Sequence, residues 1–251
     1  MKAWNPVVPI LVAALGVTSA CGRSSAPVES PPPPAGSGSV SGHVHLAAPP
    51  PENALIRMRS DPMCDAANGG KPVRFESVLV GSGGGLANVF VQLDGDFPNA
   101  PPPRDPVLID QRGCVYTPRV VGVRIGQPVR VKNSDPGLHN VHGVSTGRDG
   151  FNIGQPMAGM VNEVRFKDAG ILRLQCDVHA WMVAFVGVVG HPYFAVTGAD
   201  GSFAIHDIPA GSYPIRAWHE QYGTLTGHVT VKAGDTATVE WMFSGNERPG
   251  Q

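Results

Sequence analysis

The sequence predicts an all-β protein built from two sandwich domains. Three observations carry this reading. Short runs rich in Val, Ile and Phe recur along the chain, broken by Gly, Pro, Asp and Asn, the alternation of strands and turns. Gly (32) and Pro (25) are abundant in 251 residues, and long apolar patterns at the 3.6 spacing of an amphipathic helix are scarce. The length accommodates two small β-domains once the ends are set aside.

The first twenty residues read as an export signal. Lys2 is the positive start, Val7 to Val17 is an apolar run too short for a comfortable membrane span, and Thr18-Ser19-Ala20 are small residues before Cys21. The block resembles a bacterial lipoprotein signal, which implies that Cys21 becomes the lipidated first residue. Residues 21–39, with Pro31 to Pro34 followed by Ala-Gly-Ser-Gly-Ser, read as a stiff spacer ending in a flexible joint. The expected setting is the periplasm or cell envelope, with a lipid anchor at a membrane.

The folded part is expected from Val40. Val40 to Leu46, the stretch around Ile56 to Met58, and Ser77 to Val80 are its first strand candidates. In Leu86 to Leu93, residues Val89, Val91 and Leu93 alternate with other positions, as a half-buried strand requires. The proline-rich stretch from Asp96 to Asp105 is turn material. Val107 to Ile109, Cys114 to Tyr116 and Val120 to Ile125 follow as strands, with Val121, Val123 and Ile125 expected on one face. Gly126-Gln127 turns the chain into Pro128 to Asn133, where Val129 and Val131 point inward. A Gly-rich loop is expected after His139, then strands at Val161 to Phe166, Ile171 to Cys176 and Val183 to Val189. Leu172, Leu174 and Cys176 share a face, so the thiol should enter the core at a strand's end.

A shift in composition at Gly190-His191-Pro192 predicts a boundary. Residues 40–190 would form the first domain, with a core over 86–190 and an N-terminal β extension; 191–244 would form the second, and 245–251 a tail. Gly201 to Ala217 reads strand, Pro-Ala-Gly turn, strand, and His228 to Lys232 and Thr236 to Phe243 add two more. Its Gly-x-Phe and Pro-x-Gly-x-Tyr pattern resembles the carboxypeptidase-regulatory, transthyretin-like β-sandwich.

The chemistry lies in Cys176-Asp177-Val178-His179-Ala180-Trp181-Met182 and in His139. A thiolate and two imidazoles with a weak thioether are the donors of a mononuclear blue-copper site, holding both oxidation states in similar geometry. Cys176 and His179 enclose two residues, so a tight turn can aim both at one point. His139 would arrive from a neighbouring strand and Met182 would be axial. Asn140 is placed to tie the two ligand segments together through its amide. Export makes an odd cysteine conspicuous. With Cys21 lipidated and Cys176 a ligand, the simplest partition pairs Cys64 with Cys114 as a disulfide.

Asn133 to Asn140 followed by Cys176 to Met182 resembles the cupredoxin family, and the Cys-x2-His-x2-Met spacing is that of amicyanin. Tyr116-Thr117-Pro118 and Ile125 to Val129 resemble the family's segments before its first histidine. The resemblance implies a Greek-key cupredoxin-like β-sandwich, one type 1 copper ion, and one-electron transfer between a redox donor and acceptor, rather than an enzyme. It also implies an exit for electrons at an imidazole edge ringed by apolar surface, for which Pro136, Leu138 and Ala180 are the candidates. The alternative is copper binding and delivery without electron transfer.

His142, three residues after His139, would face the other way along a strand. His43-Val44-His45 lacks further His-x-His pairs and reads as a solvent-facing strand. Trp218-His219-Glu220 reads as a core Trp with a surface His-Glu pair, and His191, His206 and His228 lack partners at ligand spacing. Met157 and Met160 lie between the ligand segments, where they would fill gaps or shield the site. A net charge of −1 does not indicate a nucleic-acid partner.

Overall fold

The computed structural model describes Met1 and residues 36–98, 100–144 and 150–248. The lipidation candidate Cys21 and nearly all of the spacer lie outside these residues. The elements in chain order are β1 (Ser37–Leu46), α1 (Pro62–Ala67), β2 (Phe90–Leu93), β3 (Val107–Gln111), β4 (Tyr116–Thr117), β5 (Val120–Arg124), β6 (Val129–Asn133), β7 (His139–Val144) and β8 (Phe151–Gln155). They continue with β9 (Val161–Val164), β10 (Gly170–Gln175), β11 (Val183–Val189), β12 (Phe194–Val196), β13 (Ser202–Pro209), β14 (Gly211–His219), β15 (Gly223–Val231) and β16 (Thr236–Phe243). The all-β expectation holds. No described helix is long and apolar enough to cross a membrane.

Two sandwiches result. The first packs the sheet β5-β11-β10-β7-β8 on β4-β3-β6-β9, and the inward residues Ile109, Val129, Val131, Leu172, Leu174, Ala184 and Val186 fill the space between. The second packs β13-β1-β16 on β12-β2-β14-β15 around Val40, Val44, Val91, Phe203, Ile215, Val231 and Phe243.

The strands are not divided at residue 190, and the expected boundary needs correcting. β1 pairs with β13 and, in parallel, with β16, while β2 pairs with β12 and β14. The second sandwich therefore takes β1 from the expected extension and β2 from the expected core of the first domain. The physical reason is edge satisfaction. β13 and β16 do not pair with each other among the described residues, and β1 lies between them as the shared partner of both. Only the arm between β1 and β2 packs on the first core, through Ile56, Met58 and Cys64.

β5 keeps Val121, Val123 and Ile125 on the first core, as expected, and its other face is covered too. Val120 and Val123 are both buried, on opposite faces, because β5 and β11 have the first core on one side and the second sandwich on the other. Gly122 and Gly187 are register partners there. A Cβ on Gly122 would stand 2.4 Å from the Phe194 ring, and one on Gly187 would stand 2.5 Å from Phe90. The missing side chains let two aromatic rings lie against the sheet. Beside this seam Arg119 makes a bidentate pair with Glu220, one contact at 2.7 Å, and both side chains are nearly inaccessible. His219 is buried as well, so His219 and Glu220 are not the surface pair that the sequence suggests.

Candidate metal centre

The site forms where β7 and β10 lie side by side. Leu174 pairs with Gly143 and Gln175 with His142, which brings the start of β7 beside the turn that follows β10. The turn is closed by two backbone bonds: the Met182 N–H donates to the His179 carbonyl at 2.9 Å and the Cys176 N–H to the Met182 carbonyl at 3.2 Å. Cys176, His179 and Met182 are all buried, as is His139 at the head of β7.

His139 Nδ1 and His179 Nδ1 are 3.0 Å apart. The Cys176 sulfur lies 4.0 Å from the first and 3.8 Å from the second. These three atoms form a compact triangle capable of holding one ion. Donors at about 2.0–2.3 Å from a metal in a trigonal plane stand about 3.5–4.0 Å from one another, so the sulfur spacings fit a copper-sized ion and the two nitrogens would open by about half an ångström. Met182 lies in the same buried cluster as Cys176.

Each imidazole turns its other nitrogen to a carboxylate. His139 Nε2 donates to Asp135 Oδ2 at 3.0 Å, and His179 Nε2 donates to Asp61 Oδ2 at 3.0 Å. A carboxylate behind a histidine fixes the ring and leaves the opposite nitrogen free to bind. Asp135 also accepts from the Gly113 and Cys114 N–H groups at 2.7 and 2.8 Å. Both residues are left-handed, with φ of 66° and 56°, and this turns successive N–H groups toward one anion. Asp61 also caps α1, its Oδ1 accepting from the Met63 and Cys64 N–H groups, with Pro62 at the first helical position. The Cys64–Cys114 disulfide then staples α1 to the turn that holds Asp135. Trp181 donates to the Cys114 carbonyl at 3.0 Å, and its ring stands 5.1 Å from that of His179.

Charge follows from this packing. Burial alone would lower His139, but Asp135 and Cys176 outweigh it and raise the imidazole to about 9. Burial would raise the Cys176 thiol, yet bonds from His139, the Asn140 and His179 N–H groups and the His179 ring bring it down to about 7. Asp135 is held below the usual carboxylate range by His139 and two N–H donors, against its burial. Asp61 is lowered chiefly by His179.

Asn140 bridges the two ligand segments. Its Nδ2 donates to Asp177 at 2.9 Å and its Oδ1 accepts from the Asp177 N–H at 2.6 Å. Its own N–H points at the Cys176 sulfur, 3.5 Å away. His142 is turned from the site and pairs with Asp177 at 3.0 Å. Met157 is 64 % exposed, which does not suit a core filler.

One expectation changes. Pro136, Leu138 and Ala180 are exposed, but neither imidazole reaches the surface between them, since His179 is only 2 % exposed and His139 not at all. Asp61, on the stapled arm, covers the edge through which electrons were expected to leave. Sequence reasoning also missed Asp61 and Asp135. Asp135 carries a signal, four residues before His139 in Asp-Pro-Gly-Leu-His; Asp61 lies 118 residues from its histidine and carries none.

The comparisons with known proteins are partial. The family described as polysaccharide lyase family 4, domain II, matches residues 168–239, a stretch that starts in the first sandwich and ends in the second. No curated protein matches the chain. Among solved structures, a purple cupredoxin from Nitrosopumilus maritimus is similar at 22% identity and a TM-score of 0.30, over 33% of this chain and 98% of its own. A reduced form of an amicyanin point mutant is similar at 22% identity and a TM-score of 0.32, over 39% of this chain and 97% of its own. A copper-containing nitrite reductase from Thermus scotoductus SA-01 is similar at 20% identity and a TM-score of 0.32. This chain spans 25% of that reductase's length and is itself covered over 39%.

Proposed function

We propose that this protein binds one copper ion of type 1 and carries single electrons; His139, His179 and Cys176 would hold the ion, with Met182 as a weaker fourth donor. The observation that carries the proposal is the triangle of two Nδ1 atoms and one sulfur, each imidazole backed by a carboxylate. Bound copper would supply a one-electron Cu(II)/Cu(I) couple held with little change in geometry. The protein's own groups do the rest. Cys176, at about 7, is readily available as thiolate near neutral pH. Asp135 and Asp61 hold the tautomers that present Nδ1 inward. Burial keeps water out, and four protein donors leave no place for a substrate, which favours a carrier over an enzyme.

A second reading, copper storage or delivery, is favoured by one observation: Asp61 and the stapled arm close the His179 edge. Repeated oxidation and reduction of the copper-loaded protein by small-molecule reagents separates the two. An electron carrier keeps its copper and its spectrum over many cycles. A delivery protein loses copper to a Cu(I) chelator on first reduction.

Export, lipidation at Cys21 and attachment to a cell-envelope membrane belong to the same proposal, as do a redox donor and acceptor as partners. So does a transthyretin-like character for the second sandwich, supported by its two packed sheets of three and four strands.

A further inference from the structure

We propose a second copper site beside the first, opened when the Cys64–Cys114 disulfide is reduced and binding Cu(I) through both thiolates and the His179 imidazole. The ligand atoms of Cys64, Cys114 and His179 all lie within 4.8 Å of one another, and all three residues are buried. His139, Cys176 and His179 form the neighbouring set, so His179 belongs to both. Cys114 also lies within that distance of Asp135 and His139. The disulfide therefore stands among the groups that hold the first ion. The choice of copper rests on the reading of the first site; the convergence of donors at the second does not.

Its placement follows from the two segments that back the imidazoles. Asp61, which accepts from His179, caps α1, and Cys64 is the third residue of that helix. Gly113 and Cys114 hold Asp135 through their N–H groups. The chain thus delivers one sulfur with each carboxylate. A third sulfur is close: Met63 Sδ lies 3.9 Å from Cys114 Sγ. Thiolate and thioether donors are soft and suit Cu(I), and the imidazole completes a planar set of three with the two thiolates. Sulfurs at about 2.3 Å from an ion in such a plane stand about 4 Å apart. Cα atoms 5.6 Å apart allow that separation once the covalent bond is gone.

While the disulfide is intact its sulfurs are bonded to each other, and neither is a thiolate, the form that binds metal. Opening it takes a dithiol. One thiolate of the reductant attacks a protein sulfur, forming a mixed disulfide, and its second thiol displaces the remaining protein sulfur. Two electrons and two protons thereby pass to Cys64 and Cys114, and the reductant leaves as a disulfide. Binding of Cu(I) then releases the two thiol protons. Both cysteines are fully buried, so the dithiol acts while α1 is lifted. A helix of six residues opens locally at less cost than the paired strands do.

The test uses the full chain as Cys176→Ser, which removes the thiolate of the first site, so that Cu(I) uptake reports on the second. The protein is treated anaerobically with dithiothreitol, freed of it, and titrated with Cu(I) against a chelator of known affinity. Reduction should expose two further thiols and add one equivalent of bound Cu(I), while circular dichroism shows the strands intact. X-ray absorption should find sulfurs at about 2.3 Å from the ion. Cys64→Ser/Cys114→Ser in the same background should abolish the added uptake. His179→Phe should weaken it by about 10-fold or more, since even an outer partner of a ligand is worth that much. Equal uptake before and after reduction, a disulfide that resists dithiothreitol, or loss of the strands on reduction would overturn the site. So would equal affinity with His179→Phe, which would leave only a pair of thiols. The first site is scored separately by the thiolate band of the unaltered, oxidised protein. Absence of that band with added uptake in reduced Cys176→Ser would sink the electron-transfer reading and leave this one standing.

Discussion

The two sandwiches share a fold class but treat polar groups differently. In the first, Gln111, Asn133, Asp135, His139, Asn140, Gln155 and His179 are all buried, and they are bound to one another or to backbone. In the second, the buried polar groups are few: His219 stands among Tyr222 and Phe243, and Thr197 bonds to the Leu86 carbonyl and the Val89 N–H. A buried polar group is costly unless it is paired. A sandwich that buries so many has been shaped around one end, where the donors converge. The other is a packed core with few buried polar groups.

Truncation in the two cores should therefore fail in different ways. Phe243→Ala removes a fully buried ring from the second core and should cost about 4 kcal/mol. Denaturant unfolding should show that loss while the visible spectrum of the copper-loaded protein stays unchanged. Asp135→Ala strands three buried donors in the first sandwich and should cost about 3 kcal/mol, but here the spectrum should shift as well. Equal spectral effects from both substitutions would erase the distinction.

Two of the buried histidines, one in each sandwich, should also give opposite pH behaviour. Burial, then the Arg119 charge, lower His219 from 6.5 to about 4, so the unfolded chain holds its proton more readily. Its neutral form contributes fully above pH 6.5, and about 3 kcal/mol is lost as pH falls from 6.5 toward 4. Replacing His219 with Phe should flatten the unfolding free energy over that window, and a slope that survives would reject the assignment. His139, raised to about 9, has the other sign: its contribution to the metal-free protein is complete below 6.5 and fades as pH rises through 9.

A smaller effect is expected at Asp61. Asn keeps the oxygen that caps α1 but sets an amide donor against the buried His179 Nε2–H, so Asp61→Asn should cost about 1–2 kcal/mol. Loss of the carboxylate behind His179 should still weaken copper binding by about 10–100-fold. Competition with a chelator of known affinity measures this, and unchanged affinity would mean that Asp61 is only a cap.

Much of this was legible in the sequence because it is local. Alternation in Val129 to Asn133 and in Leu172, Leu174 and Cys176 marks strands and their inward faces. The spacing of Cys176, His179 and Met182 is short enough to be one turn. The loop expected after His139 was partly misjudged: Phe151 to Gln155 is a strand, paired with β7, though Gly154 weakens its pattern. What stayed hidden depends on distant pairing. Nothing in Val40 to Leu46 says that its partners are β13 and β16, at the far end of the chain. The two-sided burial of β5 needs Phe90 and Phe194 against Gly122 and Gly187, a contact between sandwiches that no local period encodes. Asp61 is hidden for the same reason.

The central claim is that Cys176 is a thiolate ligand to copper. The most direct measurement is the visible absorption of the full chain after addition of Cu(II), compared with Cys176→Ser. The account predicts an intense thiolate-to-copper band in the unaltered protein and its complete loss in the variant. A band of equal intensity in Cys176→Ser, or none in the unaltered protein, would contradict it.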